Sequence, residues 1–153
     1  MYYVAYGSNM NLRQMKHRCP NSSVVCNGVL IGWKLVFNVH ADIIYTGKEE
    51  DVVPVVLWNI DKSDWKSLDM YEGFPKYYIK ENVKVSIDKG DVDAVVYVMT
   101  NNRKGIALPT RYYFETILTG YKENGINTKT LYEALRYSAF HETEYNQYNT
   151  RKD

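Results

Sequence analysis

The sequence predicts an α+β domain whose small β-sheet is mixed, strongly curled or barrel-like, and flanked by helices. Two observations support this fold class. Short β-branched and aromatic runs, joined by turns rather than by helices, occupy the first two-thirds of the chain, and helical patterns fill the last third. Because strands and helices are separated along the chain, an α+β arrangement is favoured over an alternating parallel α/β sheet.

A single domain is predicted over residues 1–140, followed by a polar tail over 141–153, because the chain has neither an internal repeat nor a Pro/Gly-rich linker. Strands are predicted at 2–6, in two runs within 24–39, and at 52–60, 77–87 and 92–99. The two runs within 24–39 are expected to be interrupted at Asn27-Gly28 and at Gly32, since these residues favour turns.

Four helices are predicted from residues that typically begin or end a helix. Asn9 or Asn11 can cap a first helix that ends near residue 18. Asp61-Lys62-Ser63 caps a second helix over 64–71, which stops at Gly73. The last two helices are predicted at 110–124 and at 128–138.

The composition is typical of a water-soluble globular protein and argues against several functional classes. Hydrophobic residues make up 45% of the chain, and the net charge is +1 with no basic stripe that would indicate nucleic-acid binding. No apolar run is long enough to cross a bilayer and no secretory signal is visible, so we expect a cytoplasmic protein that does not bind membranes. Cys19 and Cys26 are too few for a disulfide framework, and together with His17 they match no zinc-site spacing, so no metal is expected.

The segment Tyr6-Gly7-Ser8-Asn9 joins the first predicted strand to the first predicted helix. Gly7 would let a ligand approach the backbone without a Cβ in the way. The amides that follow would point outward at the positive end of the helix, where they could hold a carboxylate or a phosphate. An ordinary turn with an N-cap residue would use the same residue types, and the motif by itself favours that simpler interpretation.

Glu72 lies at the last turn of the second predicted helix and is followed by Gly73. A carboxylate is unfavourable at this end of a helix because the dipole is negative there, and a residue placed against its local preference indicates a functional role. The apolar neighbours Leu68, Met70 and Phe74 should raise its pKa, as a general base or acid near neutral pH requires. A solvent-exposed glutamate before a glycine cap explains the position equally well.

Asp69 and Glu72 are three residues apart and would share one face of that helix. Their spacing is near the separation used by retaining glycosidases, but those enzymes normally take their two carboxylates from separate elements. A carboxylate-pair hydrolase is therefore kept only as a minor alternative. The chain has no serine elbow, P-loop or dinucleotide-binding glycine pattern.

Four segments between about residue 2 and residue 135 match one known family in the same order. They are Tyr3-Val4-Ala5-Tyr6-Gly7-Ser8-Asn9, Leu68-Asp69 with Glu72-Gly73, Tyr97-Val98-Met99-Thr100-Asn101, and Pro109-Thr110-Arg111-Tyr112-Tyr113 with Gly120-Tyr121-Lys122-Glu123-Asn124-Gly125. In this order the segments resemble the γ-glutamylcyclotransferase family, whose members include γ-glutamylamine cyclotransferases. One segment would be a weak match, whereas four in register are a specific one.

The resemblance implies an enzyme that cleaves γ-glutamyl amides by cyclisation. The α-amine of the glutamyl group attacks its own side-chain carbonyl, which gives 5-oxoproline and releases an amine or an amino acid. The family fold is a small β-barrel flanked by helices, and the family uses no cofactor. The expected partner of this chain is therefore a small-molecule γ-glutamyl substrate.

The resemblance also assigns roles to individual residues. Glu72 matches the family's catalytic glutamate, which acts as base and then as acid. The loop around Gly7 matches a binding loop whose backbone amides would hold the substrate carboxylate or the developing oxyanion. The expected substrate-binding residues are Tyr3, Val4, Ala5, Tyr6, Gly7, Ser8, Asn9, Tyr78 and Tyr113.

Two segments differ from the pattern expected of animal relatives. The segment after Glu72, Phe74-Pro75-Lys76-Tyr77-Tyr78, is tighter than expected, which leaves either Tyr77 or Tyr78 as the matching tyrosine. His40-Ala41-Asp42 replaces a glycine-rich stretch, so His40 and Asp42 either contact the leaving amine or have a structural role.

The main alternative to an enzyme is a relative that binds a ligand in the same pocket without converting it.

Overall fold

The computed structural model describes residues 1–150, with side chains described for residues 1–101 and 103–142. Its strands are β1 (Tyr2–Ala5), β2 (Ser23–Ile31), β3 (Trp33–Asn38), β4 (His40–Tyr45), β5 (Val52–Asn59), β6 (Tyr78–Ile87) and β7 (Gly90–Met99). Its helices are α1 (Leu12–Arg18), α2 (Trp65–Glu72), α3 (Arg111–Glu123) and α4 (Lys129–Thr150). Single 3₁₀ turns occur at Ser8–Met10, Lys62–Asp64 and Asn101–Arg103.

Five strands form a closed barrel in the order β1-β5-β2-β6-β7. All neighbouring strands are antiparallel except β1 and β7, which close the barrel as a parallel pair at Tyr3 and Val95. β5 lies between β1 and β2, and its residues Val53, Val55, Val56 and Leu57 are fully buried, so both faces of this strand are covered. The predicted α+β class, with a small mixed barrel and a helical last third, is confirmed.

β3 and β4 form a separate two-stranded sheet, against which α4 packs. Ser138 of α4 is fully buried there, and its hydroxyl accepts a hydrogen bond from the backbone N–H of Phe37 at 3.3 Å. The sequence analysis did not predict β4, because Asp42 in its middle is a residue that strands usually avoid. The Asp42 carboxylate is buried and accepts a hydrogen bond from the Met99 N–H at 2.9 Å, and this contact compensates for the burial.

The predicted interruption at Asn27-Gly28 is wrong, since β2 continues through both residues. A Cβ at Gly28 would lie only 2.8 Å from a side-chain carbon of Val85 and 2.9 Å from the backbone oxygen of Ser86. Glycine is present because β6 crosses closely over β2 at this point, not because the chain turns.

Helix α4 is longer than predicted, since it continues past Ser138 to Thr150. The sequence from 139 to 150 is polar but contains neither glycine nor proline, so it has no residue that would stop a helix. The last part of the predicted polar tail, residues 151–153, lies outside the described residues.

Candidate active site

The loop after β1 forms one wall of the candidate site. The chain leaves the strand at Ala5, passes through Tyr6 and Gly7, and makes the 3₁₀ turn Ser8–Met10. Asn11 then caps α1 by accepting a hydrogen bond from the N–H of Gln14 at 3.0 Å. Of the two predicted caps, Asn9 and Asn11, the structure uses Asn11, so the 3₁₀ turn separates the loop from α1. The dipole of α1 therefore does not act at full strength on the loop, and within the 3₁₀ turn the Met10 N–H is already bonded to the Gly7 carbonyl oxygen at 3.0 Å.

A cavity of about 510 Å³ opens beside this loop. Eight of the ten predicted site residues line it: Tyr3, Tyr6, Gly7, Ser8, Asn9, Glu72, Tyr78 and Tyr113. The remaining lining residues are His40, Ala41, Met70, Tyr71, Gly73, Tyr77 and Tyr97. The structure thus brings β1, α2, β4, β6, β7 and α3 together around one pocket, and both Tyr77 and Tyr78 reach it.

Val4 and Ala5 are the two predicted site residues that do not line the cavity. Both are buried in β1, where they pair with Leu57 and Val56 of β5. Their backbone is used in the barrel ladder and their side chains belong to the core, so they hold the loop in place rather than face the pocket.

Glu72 is the last residue of α2, and Gly73 ends the helix in the left-handed conformation with φ 63°. The Glu72 carboxyl oxygen Oε1 accepts a hydrogen bond from the side-chain nitrogen of Asn9 at 3.0 Å. No residue in the described part of the chain donates a hydrogen bond to the other oxygen, Oε2. Burial raises the pKa of Glu72 to about 7, and the nearby cation of Arg18 opposes this rise.

Asn9 connects Glu72 to the rest of the loop. It is almost fully buried, and its side-chain nitrogen also donates to the hydroxyl of Tyr3 at 3.0 Å. Its side-chain oxygen accepts a hydrogen bond from Arg18. The loop residue and the helix-end carboxylate, predicted separately from two distant motifs, are therefore in direct contact.

Tyr78 and Tyr113 hold the backbone of Ala41 from two sides. The Tyr78 hydroxyl donates to the Ala41 carbonyl oxygen at 2.7 Å, and the Tyr113 hydroxyl accepts from the Ala41 N–H at 3.0 Å. Burial raises the pKa of both phenols, so both stay neutral near pH 7. The Tyr113 hydroxyl keeps its own proton for donation to a ligand, whereas the Tyr78 oxygen keeps a lone pair for a ligand N–H.

The Asp69 carboxylate has two partners of its own. Its carboxylate forms an ion pair with Lys80 at 2.9 Å and accepts a hydrogen bond from the hydroxyl of Tyr97. Asp69 does not line the cavity that Glu72 lines, so the two carboxylates do not face one pocket as a catalytic pair would.

The sequence analysis left open whether His40 and Asp42 contact the leaving amine or have a structural role, and the structure places the two residues differently. His40 lines the cavity, and its ring packs edge-on against Tyr113 with centroids 5.1 Å apart. Asp42 lies behind the wall, where Lys104 approaches its carboxylate at 3.6 Å and Met99 donates to it. Only His40 is placed where it could reach a ligand.

Neither a metal cluster nor a membrane-spanning helix is found in the described part of the chain. No group of three or more His, Cys, Asp and Glu side chains there could hold a metal ion, and none of its helices is long and apolar enough to cross a membrane.

A family model described as "Gamma-glutamyl cyclotransferase, AIG2-like" matches residues 3–115. "Gamma-glutamylcyclotransferase" from Homo sapiens is 33% identical over 137 residues, covering 81% of this chain and 71% of the human protein. The Mus musculus protein of the same name matches with the same identity and coverage. This chain belongs to the γ-glutamyl cyclotransferase, AIG2-like family.

The fold supports the same assignment to the γ-glutamyl cyclotransferase family. A solved structure named "Gamma-glutamyl cyclotransferase" superposes with a TM-score of 0.75 and 29% identity, covering 93% of this chain and 86% of that chain. The family predicted from the four motifs is therefore confirmed, and with it the prediction that the chain is an enzyme of this type.

The matching segment Gly120–Gly125 has a structural explanation within this γ-glutamyl cyclotransferase fold. A Cβ at Gly120 would lie 2.8 Å from backbone atoms of both Met10 and Asn11, so only glycine lets α3 pack this closely on the site loop. The Asn124 side chain adds a hydrogen bond to the Met10 carbonyl oxygen at 2.9 Å. Gly120 and Asn124 therefore hold α3 against the loop that forms one wall of the cavity.

Several cavity residues were missed by the sequence analysis. Met70 was regarded only as an apolar neighbour of Glu72, Tyr97 only as part of a matching segment, and Tyr71 was given no role. Arg18, which lies behind the cavity wall and does not line it, was also missed, because its contacts with the loop arise from the packing of α1 near α2. No local pattern in the sequence indicates that packing.

Proposed function

We propose that this chain converts a γ-glutamyl amide into 5-oxoproline and a free amine or amino acid, with Glu72 transferring the protons. The observation that carries the proposal is the Glu72 carboxyl group, which lines the cavity with one oxygen free and a pKa of about 7. A group with this pKa is present in both protonation states at neutral pH, so it can serve as base and then as acid.

The first task of such an enzyme is to activate the attacking nitrogen. A free α-amino group has a pKa near 8 and is mostly protonated at neutral pH, and an ammonium has no lone pair with which to attack. Glu72 Oε2 would remove one proton, and the freed amine would attack the γ-carbonyl carbon of the same molecule. The ring forms as the N–C bond is made, and the carbonyl oxygen becomes an oxyanion.

The second task is to stabilise that oxyanion and release the amine. Ser8, Asn9 and Tyr113 line the cavity, and the backbone amides of the first two residues and the hydroxyl of the third could bind the developing charge. When the C–N bond to the leaving group breaks, protonated Glu72 would return its proton to that nitrogen, and the oxyanion would re-form the carbonyl. The ring nitrogen still carries one extra proton from the original ammonium, which the ionised Glu72 would then take up and pass to the released amine, so that 5-oxoproline leaves as the neutral lactam. No water is consumed, and the attacking and attacked atoms belong to one molecule, so the pocket acts mainly by holding a folded substrate conformer.

Two alternatives are less well supported. A ligand-binding relative would need no carboxyl group with a pKa near neutrality in its pocket, yet Glu72 has one. A carboxylate-pair hydrolase would need a second acid in the pocket, and Asp69 is instead paired with Lys80.

The proposal is tested with purified protein, γ-glutamyl-alanine and a γ-glutamylamine, by following 5-oxoproline release. Glu72→Gln keeps the shape of the side chain but cannot shuttle a proton, so kcat should fall by about 10²–10⁴-fold while substrate affinity stays nearly unchanged. Glu81→Gln, an exposed glutamate on β6, is the matched control and should retain wild-type turnover. Glutamate as sole product would indicate hydrolysis, and binding without product would indicate the non-catalytic relative.

A further inference from the structure

Arg18, the last residue of α1, contacts the site from behind the cavity wall. Its guanidinium donates hydrogen bonds to the side-chain oxygens of Asn9 and of Gln14, the latter at 2.5 Å. The guanidinium carbon also lies 3.3 Å from the ring centroid of Tyr71, a typical cation–π arrangement. Because Arg18 does not line the cavity, it acts on a bound ligand only through its neighbours.

The contact between Arg18 and Asn9 determines which way the Asn9 amide points. A guanidinium can only donate, so the atom of Asn9 that faces it must be the oxygen. The amide nitrogen is then turned toward Glu72, to which it donates at 3.0 Å. The reversed amide would place its oxygen against the carboxylate and its NH₂ group against the guanidinium, and both contacts would be repulsive.

The Tyr71 ring on which Arg18 stacks is itself held in place by a hydrogen bond to the site loop. The hydroxyls of Ser8 and Tyr71 are hydrogen-bonded at 2.9 Å, which ties the loop turn to the end of α2. Arg18 stacks on that same Tyr71 ring, one residue before Glu72. A positive charge is therefore fixed close to the Glu72 carboxyl group.

The other titratable groups that face Glu72 across the cavity do not supply a fixed positive charge. They are seven phenols and one imidazole: Tyr3, Tyr6, Tyr71, Tyr77, Tyr78, Tyr97, Tyr113 and His40. Burial raises the pKa of Tyr3, Tyr6, Tyr78, Tyr97 and Tyr113, so these phenols stay neutral near pH 7.

We propose that Arg18 is a positioning residue for Glu72, which fixes the Asn9 amide as a donor to one carboxylate oxygen and stabilises the ionised carboxylate. The catalytic consequence rests on the proposed function, because it assumes that Glu72 removes a proton from the substrate. The electrostatic consequence needs no substrate and can be measured in the protein alone.

The first test is a titration of the Glu72 carboxyl carbon by NMR, in protein labelled with ¹³C at the glutamate side-chain carboxyl. The Glu72 signal is assigned by its loss in Glu72→Gln. In Arg18→Met the titration midpoint should rise by roughly one pH unit, since the cation that favours the ionised form is gone. Arg18→Lys, which keeps the charge, should stay near the wild-type midpoint, and so should Arg13→Met, which removes an exposed cation from the same helix. His40 is present in every variant, so its contribution cancels.

The second test is the pH profile of 5-oxoproline formation. In Arg18→Met the acidic limb of kcat/KM should move to higher pH by the same amount as the NMR midpoint. Arg18→Lys should keep the wild-type limb but lose about tenfold in kcat, because one ammonium cannot replace the planar contact with Asn9 and Gln14. A residue that only stabilised the fold would change neither the limb nor the midpoint.

The two tests separate failure of this inference from failure of the proposed function. An unchanged Glu72 midpoint in folded Arg18→Met would overturn the role of Arg18, whatever the activity. If wild-type protein formed no 5-oxoproline, the proposed function would fail, and the titration would still decide the electrostatic role of Arg18. Should Arg18→Met not fold, Arg18→Gln, which keeps an N–H donor for Asn9 without the charge, carries the same titration.

Discussion

Replacement of Glu72 by glutamine is expected to stabilise the folded protein at neutral and alkaline pH. The pKa of this carboxyl group rises from 4.5 to about 7 on folding, because burial disfavours the ionised form. Between these two values the native state keeps a proton that the unfolded chain has released, so the free energy of unfolding falls as the pH rises through this window. Glutamine does not ionise, and its side-chain oxygen can still accept the hydrogen bond from Asn9.

The magnitude follows from the same two pKa values. With 4.5 in the unfolded chain and about 7 in the fold, ionisation of Glu72 lowers the free energy of unfolding by about 2.5 kcal/mol between pH 5 and pH 8. Glu72 is only half-buried by surface area, so water screens part of this effect and we expect roughly 2 kcal/mol. The stability advantage of Glu72→Gln over wild type should grow by this amount across the pH range.

Urea unfolding at several pH values measures this advantage directly. Subtracting the wild-type value at each pH cancels the contributions of the other carboxyl groups, and Glu81→Gln, which alters an exposed glutamate, should give a difference that does not change with pH. If the difference in free energy of unfolding between Glu72→Gln and wild type were also independent of pH, folding would not raise the pKa of Glu72, and the reasoning from burial would be refuted.

Three further predictions concern the contacts that shape the site. Gly120→Ala should lower the free energy of unfolding by more than about 2 kcal/mol, because its Cβ would meet backbone atoms at 2.8 Å. Chemical denaturation beside the exposed control Thr119→Ala tests this, and equal stabilities would contradict it. Ser138→Ala should cost about 1–3 kcal/mol, since the buried N–H of Phe37 loses its acceptor; an unaltered urea midpoint would count against that bond. Tyr78→Phe should cost about 1 kcal/mol through the lost hydrogen bond to the β4 backbone, seen as a lower Tm, and an unshifted melt would disprove it.

The structure confirms most predictions that rest on local signals. Asn11 caps α1 and Gly73 ends α2, as their residue types indicate. The buried run around Val55 is a central strand of the barrel. These features depend on neighbouring residues in the chain, so the sequence contains the information needed to predict them.

The predictions that failed depend on approaches between distant segments. Gly28 indicated a turn, but it is a point where β6 crosses β2. Strand β4 was not predicted because Asp42 lies in its middle. The hydrogen bond that compensates for the burial of this carboxylate comes from Met99, 57 positions away in the chain.

The fold class, the family and the two segments that contain Gly7 and Glu72 can be predicted from the sequence, because each is encoded in short runs of neighbouring residues. Three contacts of the site are visible only in the folded molecule: Asn9 donates to Glu72, Asp69 pairs with Lys80, and Arg18 places a cation behind the pocket. Hydrogen bonds and electrostatic interactions act over a few ångströms. Which side chains come within that range is set by the packing of α1, α2 and the barrel, and no local motif records it.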